Sequence, residues 1–438
     1  MLPSHGVYSA SSPVSFASRN SKEAIIALAQ PAADTQSLRQ TRDAFFWMLL
    51  QITREFFGPH SKLLVYCTYM ERYLKKQVAA DLARKMVFLG GPRQVGKTTL
   101  AKQLLKSEAG YLNWDYPEHR QKILQMEFPK QSMLVLDELH KYRKWRNYLK
   151  GLYDVKRDQY KILVTGSARL DFYRFGGDSL QGRYHYLRLH PLSAAELQAN
   201  TPADLKALIE LGGFPEPFFS GSADEARRWS REHREFLLQE ELQGLERVQD
   251  IGQLELMMLR LPELVGSPLS INSLTEDLQI SHKTLARWLL IMERIYALFR
   301  VPPFGTPKLR AVRKMLKHYH FDWNVVPDPG ARFENLVASH LLKWVHFQID
   351  TRGRELELRY FRDIDGREVD FVVTENRKPI LFIEAKWADD DIVRGLKYLK
   401  ERFPNVDSWQ ISAIGTKDFV SREGIRVAPA LELLRTLA

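Results

Sequence analysis

Two short stretches carry residues whose types and spacing can do chemistry. The first, Gly91-Pro92-Arg93-Gln94-Val95-Gly96-Lys97-Thr98-Thr99, holds the spacing G-x-x-x-x-G-K-T. A glycine-rich turn of this form wraps backbone N–H groups around a polyphosphate. Its lysine neutralises the β- and γ-phosphates, and the hydroxyl that follows ligates Mg²⁺. The second stretch, Arg367 to Trp387, sets Asp370, Glu384 and Lys386 among Val, Phe and Ile. Charges on apolar strands cost free energy unless partners meet them.

The first group needs a strand, a loop and a helix in that order. Met86–Leu89 is an apolar run suited to a buried parallel strand, and Thr98–Lys106 reads as a helix. Loop amides and the helix start then surround the phosphates. A second strand, Met133–Leu136, ends in Asp137-Glu138. Asp137 suits the Mg²⁺ shell, and Glu138 suits orienting the attacking water. A third strand, Lys161–Thr165, runs into Gly166-Ser167, beside the other strand ends, where open α/β sheets bind ligands. Ser167 either senses the γ-phosphate or is a plain turn residue.

The second group needs a hairpin. By alternation, Val369, Phe371 and Val373 share one face and Asp370 takes the other. Leu381, Ile383, Ala385 and Trp387 likewise oppose Glu384 and Lys386. With Asn376-Arg377-Lys378 at the tip, Asp370 stands opposite Glu384, Cβ atoms about 5 Å apart. Two carboxylates so close repel unless a cation lies between them, and Lys386 points at the same spot. In the helical segment Ala331–Val345, Phe333, Leu336, Val337, Leu341 and Val345 form an apolar stripe with Glu334 at its edge. The strand pair offers that carboxylate a partner. Two outcomes stay open: a divalent-ion site, or a salt-bridged cluster with Lys386 between Asp370 and Glu384.

Between these groups, Lys141–Lys150 is basic with interleaved aromatics. At helical spacing Tyr142, Trp145, Tyr148 and Leu149 form a stripe, which favours a solvated helix over a nucleic-acid contact. Residues 200–267 look helical, with a break at Gly212–Pro217 and a dense helix pattern over Ser230–Gln249. Residues 269–304 read as two helices joined by a short turn, with Ser281 as the cap of the second. This is winged helix-turn-helix spacing. Lys283 and Arg287 lie four apart on the second helix, and Lys308, Arg310, Arg313, Lys314 and Lys317 follow where a wing would sit. Either DNA or another protein surface suits such a unit.

The 438-residue chain carries a net charge of +11. Residues 70–200 hold 24 basic and 13 acidic side chains, a surplus able to meet phosphate backbones. The single cysteine, Cys67, excludes a disulfide framework and fits a reducing compartment, so a cytoplasmic location is expected. No apolar run is long enough to span a membrane, and no membrane partner is expected. Residues 1–69 form a poorly defined extension without secretory features. Met70 is a natural start, or Arg42–Phe57 is a genuine extra helix.

GPRQVGKTTL, LVLDELHK, LVTGSARL and SLQGRYHYLRLHPLSAAEL together resemble an AAA-superfamily ATPase of bacteria and archaea with a restriction-endonuclease-related C-terminal domain of unknown function. The resemblance implies a P-loop core in which Glu138 activates water. It makes Arg183 the candidate arginine acting on the γ-phosphate, in its own chain or a neighbour's, against the alternative of a surface arginine. In that family a glycine–proline element such as Gly212–Pro217 opens the C-terminal region. Glu334, Asp370 and Glu384-x-Lys386 resemble the PD-(D/E)xK nuclease core, although Val369 stands where proline is common. That resemblance makes Glu334, Asp370 and Glu384 metal ligands and Lys386 the residue assisting the nucleophile.

The expected fold class is α/β. It comprises an extension (1–69), a P-loop AAA-type ATPase core (70–198), a helical connector (199–267), a winged helix-turn-helix (268–326) and a restriction-endonuclease-like α/β domain (327–438). The expected cofactors are ATP and Mg²⁺. DNA, a second copy of the chain and another protein are the partners left open.

Overall fold

Met86–Gly90 reads Met-Val-Phe-Leu-Gly, and all five residues are buried, as a strand covered on both faces must be. In the computed structural model, which describes residues 70–166, 180–238, 251–305 and 316–437, this is strand β1. The expectations for residues 1–69, Ser167 and the basic residues 308–314 lie outside the described residues. With β2 (Tyr111–Asn113), β3 (Met133–Asp137), β4 (Lys161–Thr165) and β5 (Tyr184–Arg188), β1 forms a parallel sheet in the order β2-β3-β4-β1-β5. Because β4 stands between β1 and β3, the loop after β1 and the acids after β3 open on the same edge of the sheet.

Helices α1 (Lys75–Asp81), α2 (Lys97–Leu104), α3 (Pro117–Gln125) and α4 (Trp145–Lys156) belong to this region. One core joins Phe88, Leu136, Ile162 and Val164 to Trp145, Leu149 and Leu152 of α4. The basic-aromatic stretch therefore uses its aromatics for packing, as its stripe predicted. The helix starts at Trp145 rather than Lys141 because Leu139–Lys141 turns as a short 3₁₀ helix.

A capping box of Thr201 and Asp204 opens α5 (Pro202–Leu211). Helices α6 (Pro215–Ser220) and α7 (Ala223–Phe236) follow. At the break between α5 and α6, a Cβ on Gly213 would lie 2.2 Å from the Trp323 ring, so only glycine fits. The dense helix pattern predicted for Ser230–Gln249 appears as α7 up to Phe236, and residues 239–250 lie outside the described set.

Next come α8 (Ile251–Arg260), α9 (Ile271–Leu278) and α10 (His282–Arg294). The Thr284 N–H donates to Ser281 Oγ at 3.1 Å, which confirms the predicted cap. Strands β6 (Leu298–Val301) and β7 (Lys317–His320) pair antiparallel.

The last region begins with α11 (Pro329–Arg352). Asp328 caps its start, proline takes its first position, and Gly353 ends it at a φ of 65°. At 1.5 Å per residue it is about 36 Å long. The predicted stripe from Phe333 to Val345 is buried. A mixed sheet follows in the order β12-β13-β11-β10-β9-β8. Its strands are β8 (Leu356–Arg362), β9 (Glu368–Glu375), β10 (Lys378–Lys386), β11 (Asp407–Ser412), β12 (Phe419–Val420) and β13 (Arg426–Pro429), with helices α12 (Arg394–Arg402) and α13 (Ala430–Leu434).

The β9–β10 turn has two residues, Asn376 and Arg377, both at positive φ. A bulge between Pro379 and Leu381 then restores the predicted register, pairing Phe371 with Ile383. All described residues belong to one compact unit, Pro59–Ala438.

Candidate functional site

The glycine loop leaves β1 at Gly91, whose φ of 135° and 2.2 Å approach of a notional Cβ to the Leu189 carbonyl require glycine. Gln94 and Gly96 also take positive φ. The turn delivers Lys97 and Thr98 at the start of α2. Lys97 Nζ arches back over the loop and donates to the carbonyls of Gly91 (3.0 Å) and Pro92 (2.6 Å). Val95 and Pro92 are buried, and Thr98 and Thr99 are half-buried.

Asp137, at the end of β3, gathers hydroxyls. Thr98 Oγ1 donates to it at 2.9 Å, Tyr111 OH at 2.6 Å, and the Thr165 hydroxyl bonds its other oxygen. Glu138 sits in the left-handed region at φ 57°, with its N–H on the Thr165 carbonyl at 3.0 Å. Burial, then the Asp137 charge, push its carboxyl above the usual glutamate range. Its Oε2 is buried without a hydrogen bond, and Lys141 Nζ stands 3.5 Å away. Two hard oxygen ligands on neighbouring elements fit a Mg²⁺ ion that keeps waters and takes phosphate oxygens. A buried, unsatisfied carboxylate oxygen beside them fits a water-orienting group.

Helix α7 covers the loop from outside. Arg93 lies over the Phe236 ring at 4.1 Å, and Gln94 Oε1 meets His233 Nδ1 at 3.0 Å. Burial, with Arg93 and Lys97 nearby, pushes His233 down to about 4, so its ring is neutral at pH 7.

Arg183 is placed differently from a γ-phosphate arginine of its own chain. It precedes β5, its carbonyl accepts from Met86 N–H at 3.1 Å, and Met86 starts β1. It therefore lies at the sheet edge opposite the glycine loop, where Asp154 binds it at 2.8 Å. Of the alternatives left open for Arg183, this position favours a neighbour's nucleotide or a surface arginine over its own chain's nucleotide. The arginine at the loop end of β5 is Arg188, beside Gly90 and paired with Asp350 of α11 at 2.6 Å.

The four residues predicted for the C-terminal site come together. The Asp370 N–H donates to Glu384 Oε2 at 3.2 Å, the Ala385 N–H donates to Asp370 Oδ2 at 3.0 Å, and Lys386 Nζ is 2.9 Å from Glu384 Oε1. Glu334 joins from α11 and accepts from Tyr319 OH at 2.7 Å.

The cation among them is Lys317. Its ammonium lies 2.8 Å from Glu368, 3.2 Å from Glu334 and 3.2 Å from Asp370, and its side chain is fully buried. Expected where a wing would sit, Lys317 points inward. Burial, then the Asp370 charge, push Glu334 up to about 7 and Glu384 up to about 8. Burial opposes the Lys317 charge, but Tyr319, Asp370, Glu334 and Glu368 hold its pKa well above the ordinary value. Among the described residues, no group of three or more His, Cys, Asp or Glu is arranged to hold a metal ion. With Lys317 in place, the acids do not fit the predicted divalent ion.

A buried chain of contacts joins the two sites. Arg72 Nη1 donates to the Val95 carbonyl of the loop at 2.6 Å, and its Nε to Glu196 Oε1 at 2.8 Å. The other Glu196 oxygen accepts from Lys343 of α11. His340 of α11 accepts from the Ala194 N–H at 3.0 Å. Thus α11 carries Glu334 at one end and is bonded to the nucleotide-binding region along the rest. Glu196 lies within the stretch ending LSAAEL, but nothing in the sequence pairs it with Arg72 or Lys343, since single charges far apart in the chain form no motif. Thr165 and Tyr111 had only their positions on predicted or short strands.

Comparisons with known proteins match three stretches of the chain to domain families. Residues 83–198 match an AAA domain family, residues 202–326 match a domain of unknown function (DUF8612), and residues 329–433 match another (DUF4143). The uncharacterized protein Rv2008c of Mycobacterium tuberculosis is 23% identical over 359 residues, covering 76% of this chain and 78% of that one. Mb2031c of Mycobacterium bovis, also uncharacterized, matches equally.

Two solved structures share 12% and 13% identity with this chain. The Aeropyrum pernix ORC1 protein in complex with DNA has a TM-score of 0.32 and covers 65% of this chain and 97% of that one. A signal-transduction ATPase with a tetratricopeptide-repeat sensor from Pyrococcus horikoshii has a TM-score of 0.19, covering 62% and 46%. No helix among the described residues is long and apolar enough to cross a membrane. The family match and the loop geometry agree on an AAA-type P-loop core in residues 83–198.

Proposed function

We propose that the protein is a Mg²⁺-dependent ATP-hydrolysing AAA-type protein whose nucleotide state acts on a nuclease-like C-terminal domain, on or near DNA. One observation carries the first part: Thr98 Oγ1 and Asp137 Oδ2 meet at 2.9 Å beside the glycine loop, with Glu138 next in the chain. Loop amides bind the phosphates, and Lys97 leaves its two carbonyl acceptors to neutralise them. Thr98 and Asp137 hold the Mg²⁺, which when bound offsets the charge developing on the phosphoryl group. Glu138 orients the attacking water and accepts its proton. Arg183 stays a candidate only for a neighbouring copy's nucleotide. ATP hydrolysis by the purified chain tests this. Lys97→Ala should abolish nucleotide binding. Glu138→Gln should keep binding and lose roughly 10²- to 10⁴-fold in rate. Full turnover by both variants contradicts the reading.

The helix pair α9–α10 and the hairpin β6–β7 support a winged helix-turn-helix with Lys283 and Arg287 exposed on α10. Glu334, Asp370, Glu384 and Lys386 converging on one helix and two strands support the PD-(D/E)xK reading of residues 327–438. A second reading is favoured by the buried Lys317 ammonium among these acids: a nucleotide-switched protein whose C-terminal domain binds nucleic acid or protein without cutting. DNA incubated with Mg²⁺ or Mn²⁺ separates the two. Cutting that disappears in Asp370→Ala and Lys386→Ala supports a nuclease, and retention without cutting supports the second reading.

A further inference from the structure

We propose that Lys317 is a built-in counter-ion that takes the place of a divalent metal in the C-terminal carboxylate site. The inference rests on reading the Glu334, Asp370 and Glu384 constellation as a nuclease-like metal site. Four acids, Glu334, Glu368, Asp370 and Glu384, converge there. Three of them surround the Lys317 ammonium at 2.8–3.2 Å. Of its N–H donors, two are received by Glu334 and Asp370, each at 3.2 Å, and the Glu368 carboxylate pairs with the charge at 2.8 Å. A Mg²⁺ ion would need oxygens at about 2.0–2.1 Å in octahedral array, in space that Nζ fills.

The lysine is not a surface side chain that happens to fold inward. Its backbone is fixed on both sides, paired with Val301 of β6 and bridged to Pro268, with the Leu269 N–H bonded to the Leu316 carbonyl at 2.9 Å. Its Nζ also lies 5.5 Å from the centre of the Tyr360 ring, and Tyr319 OH holds Glu334 from behind. The hairpin β6–β7 thus delivers one positive charge into the acids of β9, β10 and α11. Lys386, the other ammonium, is bound to Glu384 and half-exposed, so it leaves the central position to Lys317.

Removing the Lys317 charge should therefore create a divalent site. The test counts Mn²⁺ by electron paramagnetic resonance on the full nucleotide-free chain. Each variant is compared with its Asp370→Asn counterpart, which subtracts any ion held at Thr98 and Asp137. Wild type should show no Asp370-dependent Mn²⁺. Lys317→Ala and Lys317→Gln should each gain one such ion per chain and melt at a higher temperature in Mn²⁺ than in EDTA.

An Asp370-dependent ion in wild type overturns the proposal and leaves the nuclease-like reading standing. A folded Lys317→Ala or Lys317→Gln chain that binds no Mn²⁺ overturns both. Should neither variant fold in EDTA, folding restored by Mn²⁺ supports the proposal. If Mn²⁺ restores neither, the wild-type count decides, with none supporting the proposal and one overturning it.

Discussion

Glu138 holds a backbone conformation that few non-glycine residues adopt, and its carboxyl is buried beside Asp137. Such strain tends to persist where surrounding structure fixes it, as at functional sites. Its raised pKa has a consequence for turnover. A general base works only when ionised, so kcat should fall on acidification at a higher pH than an ordinary glutamate would give. A kcat–pH profile checks this, and Glu138→Gln should flatten that limb. Gly91 makes a second residue-level prediction. Alanine there would place Cβ 2.2 Å from the Leu189 carbonyl in a region of φ that favours glycine. Gly91→Ala should lose nucleotide binding in equilibrium titration with a fluorescent ATP analogue. The glycine and lysine spacing made these residues legible in the sequence. Lys317 was legible as a lysine but not as an inward one, because four-residue β7 gives too short an alternation to fix its face.

At the scale of elements, α11 is the member that both regions share. Glu196 ties it to the glycine loop through Arg72 and Lys343, all three nearly or fully buried. Breaking a buried ion pair by removing one partner costs about 3–5 kcal/mol, because a charge is left uncompensated. Glu196→Ala should show that loss in denaturant unfolding. Burial works against the Glu196 charge, but Arg72 and Lys343 hold its carboxyl down at about 2. A depressed carboxyl contributes stability that is present above the unfolded value of about 4.5 and lost as pH falls toward the folded one. Wild-type stability should therefore decline between about pH 4.5 and 2, and less so in Glu196→Gln. The hairpin shows how sequence and structure meet. Alternation placed Asp370 opposite Glu384, yet the turn is two residues, not three. The register survives because a bulge near Pro379 adds the missing step, and bulges leave little trace in hydrophobic pattern.

At the scale of the whole molecule, the basic surplus of residues 70–200 and the exposed Lys283 and Arg287 of α10 are the groups that the proposed DNA contact would use. If phosphates are contacted, log affinity falls with log salt by about 0.9 per contact. Replacing Lys283 and Arg287 with alanine should flatten that slope by roughly 2 in filter binding across a salt series. An unchanged slope removes α10 from the interface. Whereas β2, β5, β8 and β11–β13 carry no comparable signal, the elements that carry the two motifs were readable, because short apolar runs end at the glycine loop and the acids, and Ser281 caps its helix. The burial of Lys317 and the Arg72–Glu196–Lys343 contacts were not, since they join residues far apart in sequence. The most direct test of the account is a crystal structure with Mn²⁺ and a non-hydrolysable ATP analogue, with manganese located by anomalous scattering. A single manganese peak beside Thr98 Oγ1 and Asp137, with Lys97 Nζ turned to the phosphates, is the predicted result. No peak near Thr98 would contradict it, and a peak between Asp370 and Glu384 would overturn the counter-ion role of Lys317 alone.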